Sequence, residues 1–279
     1  MSCYICERKE NSRVKGIVRD IPELKILKCT NCGLVYLENF NHIDKDYYKN
    51  AGMNDYGSLE EYAKSCIDND LWRIEKYKSL FRTKTILDFG SGLGGFIKGM
   101  LQHTSIYGCE IDPSWQNVNS SIGAWMYDNI EEIPDNYFDY ITLFHVLEHL
   151  KDPKEVLKKL KPKLKKSGTI IVEVPNADDA LLTLYDCEAF QNFTYWSCHL
   201  YLFNQYNLMR LIEQSGLKCS NIIQAQRYPL SNHMYWLAKG KPGGHKIWNC
   251  LDYNESNEWY ENKLAKIGKC DTLVALVKV

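Results

Sequence analysis

The run Thr85-Ile-Leu-Asp-Phe-Gly-Ser-Gly-Leu-Gly-Gly-Phe96 narrows the folds open to this chain more than any other stretch. Apolar residues over Thr85–Phe89 predict a short buried strand carrying an acid, Asp88, near its end. Glycines at 90, 92, 94 and 95 predict a sharp turn, and a helix is expected over Gly94–Gln102. Glycine serves where a backbone takes positive φ or approaches a ligand so closely that a Cβ would collide. A nucleotide-like cofactor across the carboxyl end of a parallel sheet makes both demands. The glycines leave the cofactor open. Gly90, Gly92 and Gly95 fit G-x-G-x-x-G, and Glu110 stands 20 residues past Gly90, which also suits a nicotinamide dinucleotide.

The order downstream narrows the choice. Strands are expected over Ile106–Glu110, Ala124–Tyr127, Tyr140–Phe144 and Thr169–Val174, with a helix from Pro113 between the first two. The last two strands are expected over Leu217–Gln226 and Thr272–Lys278. The pieces LDFGSGLGGF, CEID, DNIEEIP, FDYITLFHVLEHLKDP and GTIIVEVPN stand in an order and spacing that resembles a class I S-adenosylmethionine (SAM)-dependent methyltransferase. The resemblance covers about Thr85 to Asn176 and continues more weakly to the C-terminus. It implies an α/β fold with a Rossmann-like, doubly wound, seven-stranded sheet over 85–279, and acceptor-binding insertions at about 177–205 and 228–269. It also implies SAM as cofactor, with Gly90, Ser91 and Gly92 beside the methionine half and Asp88 orienting the loop or the amine. Glu110 would accept both ribose hydroxyls, since two donors on adjacent carbons match one carboxylate. Asn129 would meet the adenine edge, Ile111 and Ile130 its faces, and Phe144 the same cofactor wall. Ile111 and Ile130 equally suit plain core packing.

His145-Val-Leu-Glu148-His149 admits a second reading, because H-x-x-E-H is also an inverted zinc-protease motif. Its place directly after a buried strand favours the methyltransferase resemblance, which puts His145 beside the methyl group as general base. His149 then packs or caps. The fifth strand ends at Asn176, and the aromatic stretch Phe193–Phe203 follows, with Asn176 and Tyr195 expected at the substrate and His199 as a second candidate base. A helix is expected over Gln205–Ser215, stopped by Gly216. Arg227, Lys239, Lys241 and His245, with Gly243 and Gly244, make a basic glycine-rich loop fit for a phosphate or carboxylate, or a solvated surface loop. Lysines between Lys154 and Lys166 alternate with Val156, Leu157, Leu160 and Leu164 and predict the wet face of a crossover helix.

Cys3, Cys6, Cys29 and Cys32 form C-x2-C-x22-C-x2-C, two turns able to offer four sulfurs to one Zn2+. A zinc ribbon is expected over 1–40, with strand-like pieces at Arg13–Arg19 and Leu24–Lys28, stabilised largely by metal and structural in role. It resembles the N-terminal zinc module of sugar C-methyltransferases, although their large extra C-terminal domain has no counterpart here. A helical cover segment is expected over 41–84, where Tyr47, Tyr48 and Arg73 are candidates to close over SAM or to pack as core.

A net charge of −1 among 279 residues tells against a general nucleic-acid binder. No apolar run approaches membrane-spanning length, and the remaining seven cysteines are scattered, so a reducing, cytoplasmic setting is expected. The expected partner is a small polar acceptor, phosphorylated or not, such as a sugar or nucleotide-sugar of a surface-polysaccharide pathway. The alternatives are an RNA methyltransferase using the ribbon to bind, a NAD-dependent oxidoreductase, and a SAM-binding protein without catalysis. An RNA base methylase would be expected to carry an Asn/Asp-Pro-Pro-Tyr-type motif after the fourth strand, and the sequence has none there.

Overall fold

The structure is a computed structural model that describes residues 2–44, 47–48 and 69–279. Much of the expected cover segment, including Asp46 and the stretch from Leu59 to Ala63, lies outside the described residues. Its end is a helix, α1 (69–77), which buries Arg73 and Tyr77.

The ribbon comprises β1 (Asn11–Arg13), β2 (Ile26–Cys29) and β3 (Val35–Leu37), an antiparallel set in which Ser12 faces Lys28 and Lys28 faces Val35. Both pieces expected as strands are shorter or shifted by two residues, and β3 was not foreseen. The cause is visible: the cysteine turns take over the chain at Cys3–Cys6 and Cys29–Cys32, where Glu7 N–H donates to Cys3 O and Gly33 N–H to Cys29 O.

The main sheet is built from β4 (Thr85–Phe89), β5 (Ser105–Cys109), β6 (Trp125–Tyr127), β7 (Phe138–Phe144), β8 (Leu164–Pro175), β10 (Lys218–Ala225) and β11 (Thr272–Lys278). The order is β10-β11-β8-β7-β4-β5-β6, the expected seven strands. Neighbours from β8 to β6 run parallel, whereas β11 is antiparallel to both β8 and β10. Central strands read as continuous apolar runs because both faces are covered, and Ile86, Leu87, Ile141, Leu143, Ile170 and Val172 are fully buried. Strand order reverses between β4 and β7, so a crevice opens at their carboxyl ends.

Helices α2 (Gly95–Met100) and α3 (Pro113–Ser121) follow β4 and β5. Helix α4 (Pro153–Leu160) is capped by Asp152, starts on a proline and buries Leu157 and Leu160 while its lysines face outward, as the alternation predicts. The first insertion holds α5 (Ala180–Thr183), α6 (Glu188–Thr194) and β9 (Tyr201–Leu202); α7 (Gln205–Gln214) follows with a capping box on Asn204 and Asn207. The second holds α8 (Leu230–Lys239), α9 (Gly244–Ile247) and α10 (Asn254–Lys266). Trp236 of α8 stands edge-on to Phe190 of α6 at 5.2 Å, and Tyr185 bonds Tyr260 at 2.9 Å, so the two insertions form one wall.

That wall is joined to the ribbon. β9 adds to β3 as the fourth strand of the small sheet, with Tyr36 facing Tyr201. Ribbon residues and central strands share one apolar cluster that runs from Cys3 through Ile141 to Val277.

Candidate active site

A cleft of about 660 Å³ opens over the carboxyl ends of β4, β5, β7 and β8. One end is the glycine turn. Gly90 has φ 74°, and a Cβ there would lie 2.5 Å from the Val146 side chain, so both reasons for glycine hold at this position. Gly90 and Ser91 N–H groups donate to Cys109 O, tying the turn to β5. Ser91 Oγ is buried without a hydrogen-bond partner at the cleft wall, an atom that a polar ligand would satisfy.

Glu110 caps β5. Its Oε1 accepts from Ile111 N–H at 2.8 Å and Asp112 N–H at 3.0 Å, and its Oε2 from Gly92 N–H at 2.8 Å. Burial pushes its carboxyl up, against these three amides. A carboxylate offers about four lone-pair sites, so accepting two ribose hydroxyls requires one of the three amide bonds to open. Asp88 accepts from Thr142 Oγ1 at 2.7 Å, and burial pushes its carboxyl up to about 7. Ile111 is exposed on the cleft and Phe144 is buried at its floor. The chain's own atoms therefore fit an adenosyl ligand here.

Asn129 and Ile130 do not line this cleft. Asn129 Oδ1 accepts from Glu131 and Glu132 N–H and its amide donates to Glu132, so it caps a short turn rather than presenting to adenine. Ile130 packs against the main apolar cluster, the bland alternative.

His145 terminates β7 with φ 55°, a left-handed conformation that a side chain with a Cβ adopts only at a cost of about 1–3 kcal/mol. Its N–H donates to Glu173 O at 2.9 Å. The ring lines the cleft; its Nδ1–H donates to Glu148 Oε1 at 2.9 Å, and its buried Nε2 lies 3.3 Å from Glu173 Oε1. Burial alone would raise the Glu148 carboxyl; the bond to His145 outweighs it and holds the group at about 2. Burial would likewise raise Glu173, but Arg73, His145 and Arg227 hold it well below the carboxylate range.

Glu173 is the residue sequence reasoning missed. It lies in β8 inside an apolar run, and a lone acid at a strand position buried on both faces was the available signal. Arg73, a candidate to close over SAM, lines the cleft and is the buried partner of Glu173: Nη2 donates to Glu173 at 2.7 Å and the guanidinium sits 4.9 Å from the Phe144 ring centre. Tyr48 does line the cleft, its hydroxyl donating to His149 O at 3.0 Å, while Tyr47 stands edge-on against it.

On the acceptor side the expectations divide. Arg227 borders the cleft, its Nε donating to Thr272 and its Nη1 3.8 Å from Glu173. Asn176 is buried at the cleft wall, its amide donating to Cys270 O and Gly268 O and its carbonyl accepting from Asp178 N–H, so its side chain already pins the strand ends together. Tyr195 is buried off the cleft; its carbonyl accepts from Arg19 N–H at 2.9 Å. Lys241 is exposed and away from the cleft. His245 borders it, but the Gly243 and Gly244 amides expected for phosphate donate to Asn232 Oδ1. His199 faces the cleft, yet burial, then His149, push its ring down to about 3, which makes it a poor proton acceptor.

A second missed residue comes from the ribbon. Arg19 lines the cleft with its guanidinium 4.3 Å above Trp196 and 5.1 Å from Phe193, and forms no ion pair with a carboxylate among the described residues. Only contact across 177 residues, such as Asp20 accepting from Ser197, brings it there, which no local pattern signals.

In the ribbon itself, Cys3 and Cys32 sulfurs are 3.4 Å apart and Cys6 and Cys29 sulfurs 3.5 Å, all four within 4.8 Å of one another. A tetrahedral ion with bonds of about 2.3 Å to sulfur separates its ligands by about 3.8 Å, so the cluster is compatible with a zinc ribbon.

Comparison with known families matches residues 61–221, more than half of the chain, to one described as a methyltransferase domain. No curated protein matches. Similar solved structures include a SAM-dependent methyltransferase from Archaeoglobus fulgidus, at 19% identity and TM-score 0.53, covering 83% of this chain and all of that one. A SAM-dependent methyltransferase from Thermotoga maritima shows 19% identity and TM-score 0.53 over 79% of this chain and 95% of its own. A Haloferax volcanii complex of the Trm112 methyltransferase activator with a methyltransferase shows 13% identity and TM-score 0.53, over 84% and 96%.

Proposed function

The chain belongs to the class I SAM-dependent methyltransferases, and within that family we propose that it methylates a hydroxyl on a small polar acceptor bearing an anionic group, with His145 as general base. A sugar phosphate or nucleotide-sugar, of the kind built into surface polysaccharides, meets that description. The family match removes the nicotinamide alternative raised by the glycine pattern.

The observation that carries this reading is His145: left-handed at a strand end, held through Nδ1 by a buried glutamate, with Nε2 beside Glu173 and its ring on the cleft wall. A base oriented by a third group is the arrangement that proton abstraction from a hydroxyl needs. SAM, when bound, supplies an electrophilic methyl group on a sulfonium. Gly90, Ser91, Gly92 and Glu110 would hold it, and His145 would take the hydroxyl proton as the oxygen gains the methyl. Most of the acceleration would come from holding the two reactants in line.

The anionic group follows from two guanidiniums. Arg19 and Arg227 both border the cleft, and fork-shaped guanidinium donors match phosphate and carboxylate oxygens. Trp196, Phe193 and Trp236 line the cleft and give it an aromatic wall against which a sugar or base ring would pack. The four-cysteine cluster is read as a structural Zn2+ site, closed because four thiolates leave no position for substrate. All ten described cysteines are free, which suits a reducing cytoplasm. Among the described residues no helix is long and apolar enough to cross a membrane.

The test is methyl transfer from labelled SAM across a set of sugars, sugar phosphates and nucleotide-sugars, with RNA as a further arm. Label entering phosphorylated members alone supports the reading. Label entering only neutral sugars, or only RNA, overturns it.

A further inference from the structure

We propose that His149, Cys198 and His199 form a second metal site, a zinc-type set of two imidazoles and a thiolate whose open position faces the acceptor cleft. One ligand atom from each lies within 4.8 Å of the other two. They come from two segments, the short turn Leu147–His149 and the loop before β9, and the backbone holds these together: Leu200 N–H donates to Glu148 O at 2.9 Å, and Tyr48 donates to His149 O. The His149 and His199 rings meet at 4.8 Å, nearly perpendicular.

An independent observation points to a missing partner. His149 is buried, and its Nδ1 has no hydrogen-bond partner; Glu148, fully buried beside it, has an Oε2 with none either. A buried nitrogen and a buried carboxylate oxygen left without partners are costly in a native interior unless an ion or water satisfies them. A cation bound at the nitrogen would answer the first.

The donor set selects the ion. Two imidazoles and a thiolate suit Zn2+, whereas Mg2+ and Ca2+ require oxygen ligands. Three protein ligands leave a fourth tetrahedral position, in contrast to the closed four-sulfur cluster of the ribbon. His149 and His199 both border the cleft, so an acceptor oxygen would take that position. The site itself stands on geometry; only its contact with the acceptor rests on the methyltransferase reading.

The experiment is zinc content by elemental mass spectrometry of the full-length protein, purified and then equilibrated with micromolar Zn2+ and desalted. The expected result is about two ions per chain, falling to about one in Cys198→Ser and in His149→Gln, and separately to about one in Cys3→Ser. Co2+ loading adds a readout: Cys198→Ser should remove a minor share of the sulfur-to-cobalt absorption, since one thiolate of five is lost. Loss of an ion with Cys198→Ser but not with Cys3→Ser would sustain this site while overturning the ribbon's. A single ion in the unmodified protein, lost with Cys3→Ser and indifferent to Cys198→Ser, overturns the proposal. Because the unmodified protein's stoichiometry already separates one site from two, a variant that fails to fold does not blunt the test.

Discussion

The two halves of the cleft are assembled over different distances along the chain. On the cofactor side, Glu110 holds Gly92 across 18 residues and Asn119 holds Gly92 across 27. On the acceptor side, Arg73 reaches Glu173 across 100 residues, Arg227 reaches Asn69 across 158 and Ser197 reaches Asp20 across 177. Local assembly yields a site whose parts lie within one continuous run from β4 to α3. Remote assembly yields a site whose shape depends on three separate segments keeping their places, and there a chain can vary its acceptor without disturbing its cofactor.

Substitutions can break this division or sharpen it. The largest effect belongs to His145→Ala, expected to lower kcat by about 10²–10⁴ while SAM affinity, read by calorimetry, stays within about threefold. A variant that keeps more than half its turnover with the true acceptor would end the general-base assignment. Gly90→Ala should do the reverse. A Cβ at positive φ pressed on Val146 costs about 1–3 kcal/mol, so SAM binding should weaken about tenfold or more, with acceptor KM little changed.

Arg19→Ala comes next. Removing a charged donor to an anionic acceptor should raise acceptor KM by about tenfold or more with SAM affinity intact, whereas Lys241→Ala, off the cleft, should leave both within about twofold. Equal effects of the two would break the contrast between ribbon and loop.

A further effect is on stability. Burial pushes Asp179 up to about 8, so the folded chain keeps its proton through a window in which the unfolded chain, with a carboxyl near about 4, has released it. Across that window stability falls as pH rises. Asp179→Asn should therefore raise Tm more at pH 8 than at pH 5, and an equal gain at both would show that Asp179 ionises normally.

What the sequence made legible follows the same division. The glycine turn, Asp88, Glu110 and the order of strands were readable because each depends on neighbours within one supersecondary unit. Strand limits shifted by a residue or two, and β8 grew to Leu164–Pro175 because Leu164 finds Phe138 past an irregularity in the pairing. The acceptor side was readable only as residue types. Arg227, His245 and Asn176 border the cleft, the last with its side chain already hydrogen-bonded, whereas Tyr195 and Lys241 do not line it, because burial, hydrogen-bond saturation and exposure are decided by remote packing. Glu173 and Arg19 went unseen for the same reason. Asn129 does not line the cleft, because its carbonyl oxygen caps the following turn and its amide donates to Glu132.

The pairing of β3 with β9 has a consequence for solubility. Were the first forty residues cut away, Tyr201 and Leu202 would lose their hydrogen-bonded neighbour and the apolar cluster beneath would be laid open. A bare strand margin beside greasy side chains invites other chains to add to it, so the trimmed protein should clump rather than persist as a quieter enzyme.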